Sequence, residues 1–284
     1  MVTVMKIAQF YDQEKYIRLG LVENNELRPL DFTGDMVDFI CSGQRPLIDD
    51  RVLGLEKMTL APAVSRPSKI IAIGLNYQDH AEEGKAELPK NPLVFAKFPN
   101  SLTAHQQPIC WDAAVTKKVD FEAELAVIIG KRLSCCLESE AGEAIFGYTC
   151  ANDVSARDLQ FGDGQWIRGK SLDTFCPLGP WIVTADDVPE PQNLDISCRV
   201  NGVTMQSSNT GRMIFSVAFL VSFLSRHFTL FPGDVILTGT PSGVGVFREP
   251  SIYLKDGDQV SITIENIGTL VNHCQVREAV RPQN

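Results

Sequence analysis

One run constrains this chain more than any other: Val119-Asp120-Phe121-Glu122-Ala123-Glu124-Leu125-Ala126-Val127-Ile128-Ile129-Gly130. Its first half alternates acidic and apolar residues and its second half is continuously apolar, which predicts a strand. Side chains two apart on a strand share a face. Asp120, Glu122 and Glu124 therefore stand together, with Phe121, Ala123, Leu125 and Val127 opposite. Acidic residues are poor strand formers, and at an effective dielectric of about 20 like charges ~4 Å apart repel by roughly 4 kcal/mol. Two readings follow. Either the acidic face is solvated along a sheet edge, or it is buried and needs a cation or shared protons.

Composition narrows the class. The 284 residues are 44% hydrophobic and 21% charged, with a net charge of -9. That is globular composition, long enough for a large domain with or without a small appendage. No basic stripe suggests nucleic acid, no apolar run approaches a membrane span, and no secretory signal is visible at Met1–Lys6. The eight cysteines form no C-x-x-C pair and no zinc spacing. They sit in apolar contexts, so the expectation is reduced thiols in a cytoplasmic protein.

Residues 6–10 and 16–22 predict a hairpin, and 35–41 a short helix. The proline-containing stretch 60–67 predicts a linker, dividing a small β-rich N-terminal domain (1–65) from a larger one (66–284). Lys69 to Ile73 predicts a strand. Asn76 is placed to cap a short helix that Gly84 ends. On that helix His80 and Glu83 share a face, either as a carboxylate-oriented base or as surface groups. The polar segment 84–91 reads as a lid or an ordinary loop. Lys97, inside an apolar strand, either reaches an anion or snorkels to the surface. Asp153 follows another strand, as an N-cap or a third carboxylate for the acidic face. Lys170 falls in a Gly/Pro-rich stretch that predicts a loop. Asn201-Gly202 predicts a tight hairpin. Arg212 to Arg226 predicts a helix apolar nearly all round, buried in the core or against a second subunit. Thr238 to Gly245 is a candidate glycine-rich anion loop that matches neither nucleotide fingerprint, and two strands follow around Asp256-Gly257.

Taken together, GLNYQDHAEE (74–83), VDFEAELAVIIG (119–130), ANDVSARDLQ (151–160), WIRGKSLDTFCPLGPW (166–181), FPGDVILTGTPSGVG (231–245) and YLKDGDQV (253–260) resemble the fumarylacetoacetate hydrolase family, in its shorter bacterial-type form. The resemblance implies an α+β fold, a mixed β-sheet rolled into an irregular barrel with flanking helices, and a homodimer. It implies that Glu122, Glu124 and Asp153 hold Mg²⁺ or Mn²⁺, an ion type suited to hard oxygen ligands. His80 and Glu83 become a proton-transfer dyad, Lys170 a catalytic and substrate-binding cation, and Arg157, Gln160 and Thr240 further pocket residues. The implied substrate is a 2-oxo acid. Hydrolysis of a C–C bond in a 2,4-dioxo acid is the leading expectation. Oxaloacetate decarboxylation or keto–enol tautomerisation on the same site is the alternative, and a non-catalytic cation-dependent binding protein is more remote.

Overall fold

The computed structural model describes residues 5–44 and 47–277. Its spine is a mixed sheet of eleven strands. The acidic run supplies a central member, Ala123–Ile129, which pairs antiparallel with Ile145–Asn152 on one side and Val235–Leu237 on the other. Ile70–Gly74 runs parallel to Val235–Leu237, and Leu93–Lys97 closes that end. Past Ile145–Asn152 come Cys176–Thr184 and then the N-terminal strands Lys6–Tyr11, Ile17–Glu23, Glu26–Pro29 and Leu53–Gly54. A second sheet of five strands holds the Asn201-Gly202 hairpin, Asp195–Val200 with Val203–Asn209, beside Gln259–Ile264, Gly268–Arg277 and Ile109–Asp112.

Both faces of the central strand are covered, which explains its unbroken apolar second half. Phe121, Ala123, Leu125, Val127 and Ile129 share a core with Ile196, Cys198, Val260, Ile262 and Leu270 of the second sheet. Ala126 and Ile128 pack instead with Met36, Phe39 and Ile40 of the helix Met36–Ser42, which Asp35 caps. The expected strand 119–129 is broken at Phe121-Glu122, so Glu122 stands just before the central strand, and Glu124 begins this second face, which passes from carboxylate to hydrocarbon at Ala126 and Ile128.

Several expectations change. The sheet order has two ends among the described residues and does not close into a barrel. The N-terminal hairpin is hydrogen-bonded into the same sheet as the rest of the chain, through Lys6 and Ile7 opposite Val183 and Ile182. Residues 60–67 are irregular, yet Leu60, Ala61, Ala63 and Val64 are buried. The long helix begins at Val217, because Ser216 accepts from the Phe219 N–H as its N-cap. Asn76 caps nothing: its amide donates to the Phe215 and Thr238 carbonyls and accepts from the Phe215 N–H, tying three segments together. Lys170 is the last residue of a short helix, Ile167–Lys170. All eight cysteines are free thiols. Among the described residues no helix is long and apolar enough to cross a membrane.

Candidate active site

Strand register assembles the acidic centre. Ala123 pairs with Asn152, so the residues just before and just after that pair, Glu122 and Asp153, become neighbours although they lie far apart in sequence. The Asp153 N–H donates to the Glu122 carbonyl at 3.0 Å, and the Glu122 N–H to Asn152 Oδ1 at 3.0 Å. Glu122, Glu124 and Asp153 are all buried and offer oxygens within 4.8 Å of one another. Asp153 is not an N-cap; the next helix, Arg157–Gly162, has Ala156 at its N-cap position and no side-chain cap.

Three cations are buried with these acids. Lys170 Nζ donates to Glu122 Oε2 at 2.8 Å and to Asp153 Oδ2 at 2.7 Å. Lys97, at the end of its strand, donates to Asp153 Oδ1 at 2.5 Å and to the Lys170 and Val154 carbonyls. The snorkelling reading of Lys97 fails, since the residue is 1% exposed. Arg157 pairs through Nη1 with Glu122 Oε1 at 2.6 Å and through Nε with Asp120 Oδ2 at 2.9 Å, and Nη1 also reaches Gln160 Oε1 at 2.9 Å.

Glu124 is the exception. It accepts from the Gly239 N–H at 2.8 Å, and among the described residues no basic group lies within 4.0 Å of it. Burial and the charges of Asp153 and Glu122 push its carboxyl well above the ordinary value. Burial acts on Glu122 in the same sense, but Lys170 and Arg157 overcome it and hold that carboxyl at about 2. A buried carboxylate without a counter-charge is strongly disfavoured, so Glu124 takes either a proton or a metal ion. Three clustered carboxylate donors suit a hard divalent cation, and the residues fit the expected ion.

His80 and Glu83 lie on the helix Gln78–Glu83, His80 Nδ1 3.4 Å from Glu83 Oε2. Glu83 is fixed in turn by the Gly243 N–H at 3.0 Å. A cavity of about 180 Å³ joins this dyad to the acids. His80, Glu122, Glu124, Arg157, Lys170 and Thr240 line it. Gln160 lines it as well, whereas Asp153 and Glu83 stand behind the wall. Its apolar side includes Phe95, packed edge-on to Trp166 at 5.3 Å, and Phe247, 5.7 Å from the His80 ring. Thr240 is held by the Gln206 amide at 2.8 Å. Arg157 Nη2 is buried with no partner, a donor left over for a ligand oxygen.

Asp120 shares the acidic face with Glu122 and Glu124 in the sequence, but the resemblance gives it no ligand role. It does not face solvent: its carboxylate is buried against Arg157 and the glycine-rich loop. That loop does bind anions, but they are the protein's own carboxylates. Gln206 and the aromatic walls carried no signal in the sequence, because nothing local marks which polar or aromatic residue will face a cavity.

Known proteins match this chain over most of its length. The model of the fumarylacetoacetate (FAA) hydrolase C-terminal family matches residues 69–275. A mitochondrial oxaloacetate tautomerase of Bos taurus is 43% identical over 89% of this chain and 83% of its own length. The structure of fumarylacetoacetate hydrolase from the psychrophile Exiguobacterium antarcticum superposes with a TM-score of 0.89 at 37% identity, covering 96% of this chain and 100% of that one. A 2-hydroxyhepta-2,4-diene-1,7-dioate isomerase from Mycobacterium marinum gives 0.82 at 35% identity, over 97% and 100% of the two chains. With most of its length matched by the family model and by such relatives, the chain belongs to the fumarylacetoacetate hydrolase family.

Proposed function

We propose that this protein is a divalent-cation-dependent oxaloacetate tautomerase, interconverting the keto and enol forms of the 2-oxo acid. The observation that carries this reading is the 43% identity, over most of both chains, to a relative named for that activity. Hydrolysis of a 2,4-dioxo acid becomes the second reading, favoured by the likeness to a solved fumarylacetoacetate hydrolase. Decarboxylation of oxaloacetate stands behind both.

Glu122, Glu124 and Asp153 would hold Mg²⁺ or Mn²⁺, which supplies Lewis acidity toward the keto oxygen of a 2-oxo acid. The chain's own groups do the rest. With Nδ1–H directed at Glu83, the His80 imidazole keeps Nε2 free as a base. It takes the proton from the carbon beside the keto group, and the same imidazole returns a proton to carbon or oxygen. Glu83, fixed by the Gly243 N–H, stabilises the imidazolium formed in between. Such proton transfer supplies roughly 10²- to 10⁴-fold. Arg157 Nη2, Gln160, Thr240 and Lys170 orient the carboxylates, and Phe95, Trp166 and Phe247 limit water access. The reading extends to a homodimer, for which the stacked, part-exposed rings of Phe215, Phe219 and Phe223 offer an apolar face.

A substrate panel tests the proposal. Enol-oxaloacetate decay followed by ultraviolet absorbance should accelerate with added Mg²⁺ or Mn²⁺ and lose that acceleration in excess chelator. Acylpyruvate cleavage, with products identified by NMR, is expected to be slower. Efficient cleavage with no effect on the enol–keto equilibration would replace the tautomerase reading with the hydrolase one.

A further inference from the structure

The oxygens of Asp120 are the most heavily shared acceptors near the site. The residue is fully buried. Oδ2 accepts from Arg157 Nε at 2.9 Å and from the Val246 N–H at 3.0 Å. Oδ1 accepts from the Gly245 N–H at 2.8 Å and from the Phe121 N–H at 2.9 Å. One carboxylate thus joins the pocket's arginine to the backbone of the glycine-rich loop. The same loop donates the Gly239 N–H to Glu124 and the Gly243 N–H to Glu83, and it carries Thr240 and Phe247 in the cavity wall.

The glycines make this approach possible. A Cβ on Gly245 would stand 1.9 Å from the Ile252 carbonyl oxygen and 2.6 Å from Asp120 Oδ1. Gly243 sits at φ 102, where a side chain is strained, and its Cβ would meet the Met205 carbonyl oxygen at 2.2 Å. The loop lies against its carboxylates because it lacks side chains at those points.

We infer that Asp120 is a positioning residue for substrate binding: it fixes the Arg157 guanidinium in the cavity wall with Nη2 left without a protein partner, and it pins Gly245 and Val246 of the loop in the same act. Only a carboxylate serves, since four N–H donors converge on its two oxygens and a carboxamide would turn an NH₂ toward one pair of them. Among the described residues Arg157 otherwise has Glu122 as its one remaining charged partner. Without Asp120 the guanidinium shifts toward Glu122 and withdraws Nη2 from the ligand's side.

The role assigned to Arg157 rests on the proposed function, so the test has two arms, both on the full chain with Asp120→Asn. The first is hydrogen exchange. The amides of Gly245 and Val246 are expected to exchange at least tenfold faster in the variant, with the strand 123–129 unchanged. Unchanged exchange in the loop would overturn the pinning. The second is steady-state kinetics with oxaloacetate. KM is expected to rise about tenfold or more with kcat within about fivefold, the pattern of lost ground-state binding. In a cycle with Arg157→Met, the double variant should be no worse than Arg157→Met alone. Additive losses, or a fall in kcat at constant KM, would overturn the coupling to Arg157. If the wild type does not act on oxaloacetate, the proposed function fails while the exchange arm still decides the structural claim.

Discussion

Removing the buried cation Lys97 gives the sharpest test of how the site balances charge. Lys97→Met keeps the length of the side chain and deletes the ammonium. The loss includes the 2.5 Å contact to Asp153 and the donations to the Val154 and Lys170 carbonyls. Breaking a buried ion pair by deleting one member costs ~3–5 kcal/mol. Asp153 keeps Lys170 at 2.7 Å, which places the expected loss near the lower end, about 3 kcal/mol. For a chain of 284 residues that is a fall in Tm of roughly 5 °C. A divalent cation bound to Glu122, Glu124 and Asp153 would restore counter-charge to Asp153. The gap between variant and wild type should therefore be widest in chelator and narrow in saturating Mg²⁺. Thermal unfolding followed by circular dichroism, with and without metal, reads both quantities. A variant melting within ~1 °C of wild type in chelator would refute the claim that Asp153 depends on Lys97.

Two further predictions follow from the same charges. Glu122 is held at about 2, so its contribution to stability is complete above the ordinary value of 4.5 and disappears as pH falls from there toward 2. Glu124 behaves oppositely: its raised carboxyl stabilises the folded chain below the ordinary value of 4.5, and that contribution is lost as pH rises through the raised value. In chelator, Glu124→Gln should gain on wild type steadily as pH rises above that ordinary value, while losing divalent-cation affinity by calorimetry; a Tm difference independent of pH would contradict the assignment. His80→Gln should lower tautomerase turnover by ~10²- to 10⁴-fold without changing divalent-cation affinity, and an unaltered rate would remove His80 from the base role.

Much of this was legible in the residues because it depended on local periodicity. Alternation put Glu122 and Glu124 on one face, and helical spacing put Glu83 beside His80. What escaped depended on distant partners. Lys97 reads as an anion contact or a snorkelling lysine alike until Asp153, from the end of another strand, decides between them. Asp120 reads as one more acid on the strand until Arg157 and the loop at Gly245 close around it. Asn76 has the residue type of a cap, but tertiary bonds to Phe215 and Thr238 claimed its amide first. Lys170 reads as a loop residue because the prolines and glycines around it hide a single helical turn. The barrel expectation came from resemblance, and closure depends on strand pairings that no local pattern encodes.

The pairing of the N-terminal strand has a consequence for how the chain is made. Lys6–Tyr11 is synthesised well before its partner at Ile182 and Val183, which lies more than half of these 284 residues further along. Until then the core that Ile7 and Leu19 join lacks Cys176, Leu178, Ile182, Val235 and Leu237. Such non-local closure is slow and leaves strand edges open in the meantime. The early hairpin finally covers one edge of Cys176–Thr184. A chain started after residue 65 would expose that edge and invite another chain to pair with it. A hairpin that lends no residue to the site cavity thus covers an edge of the sheet that bears the site.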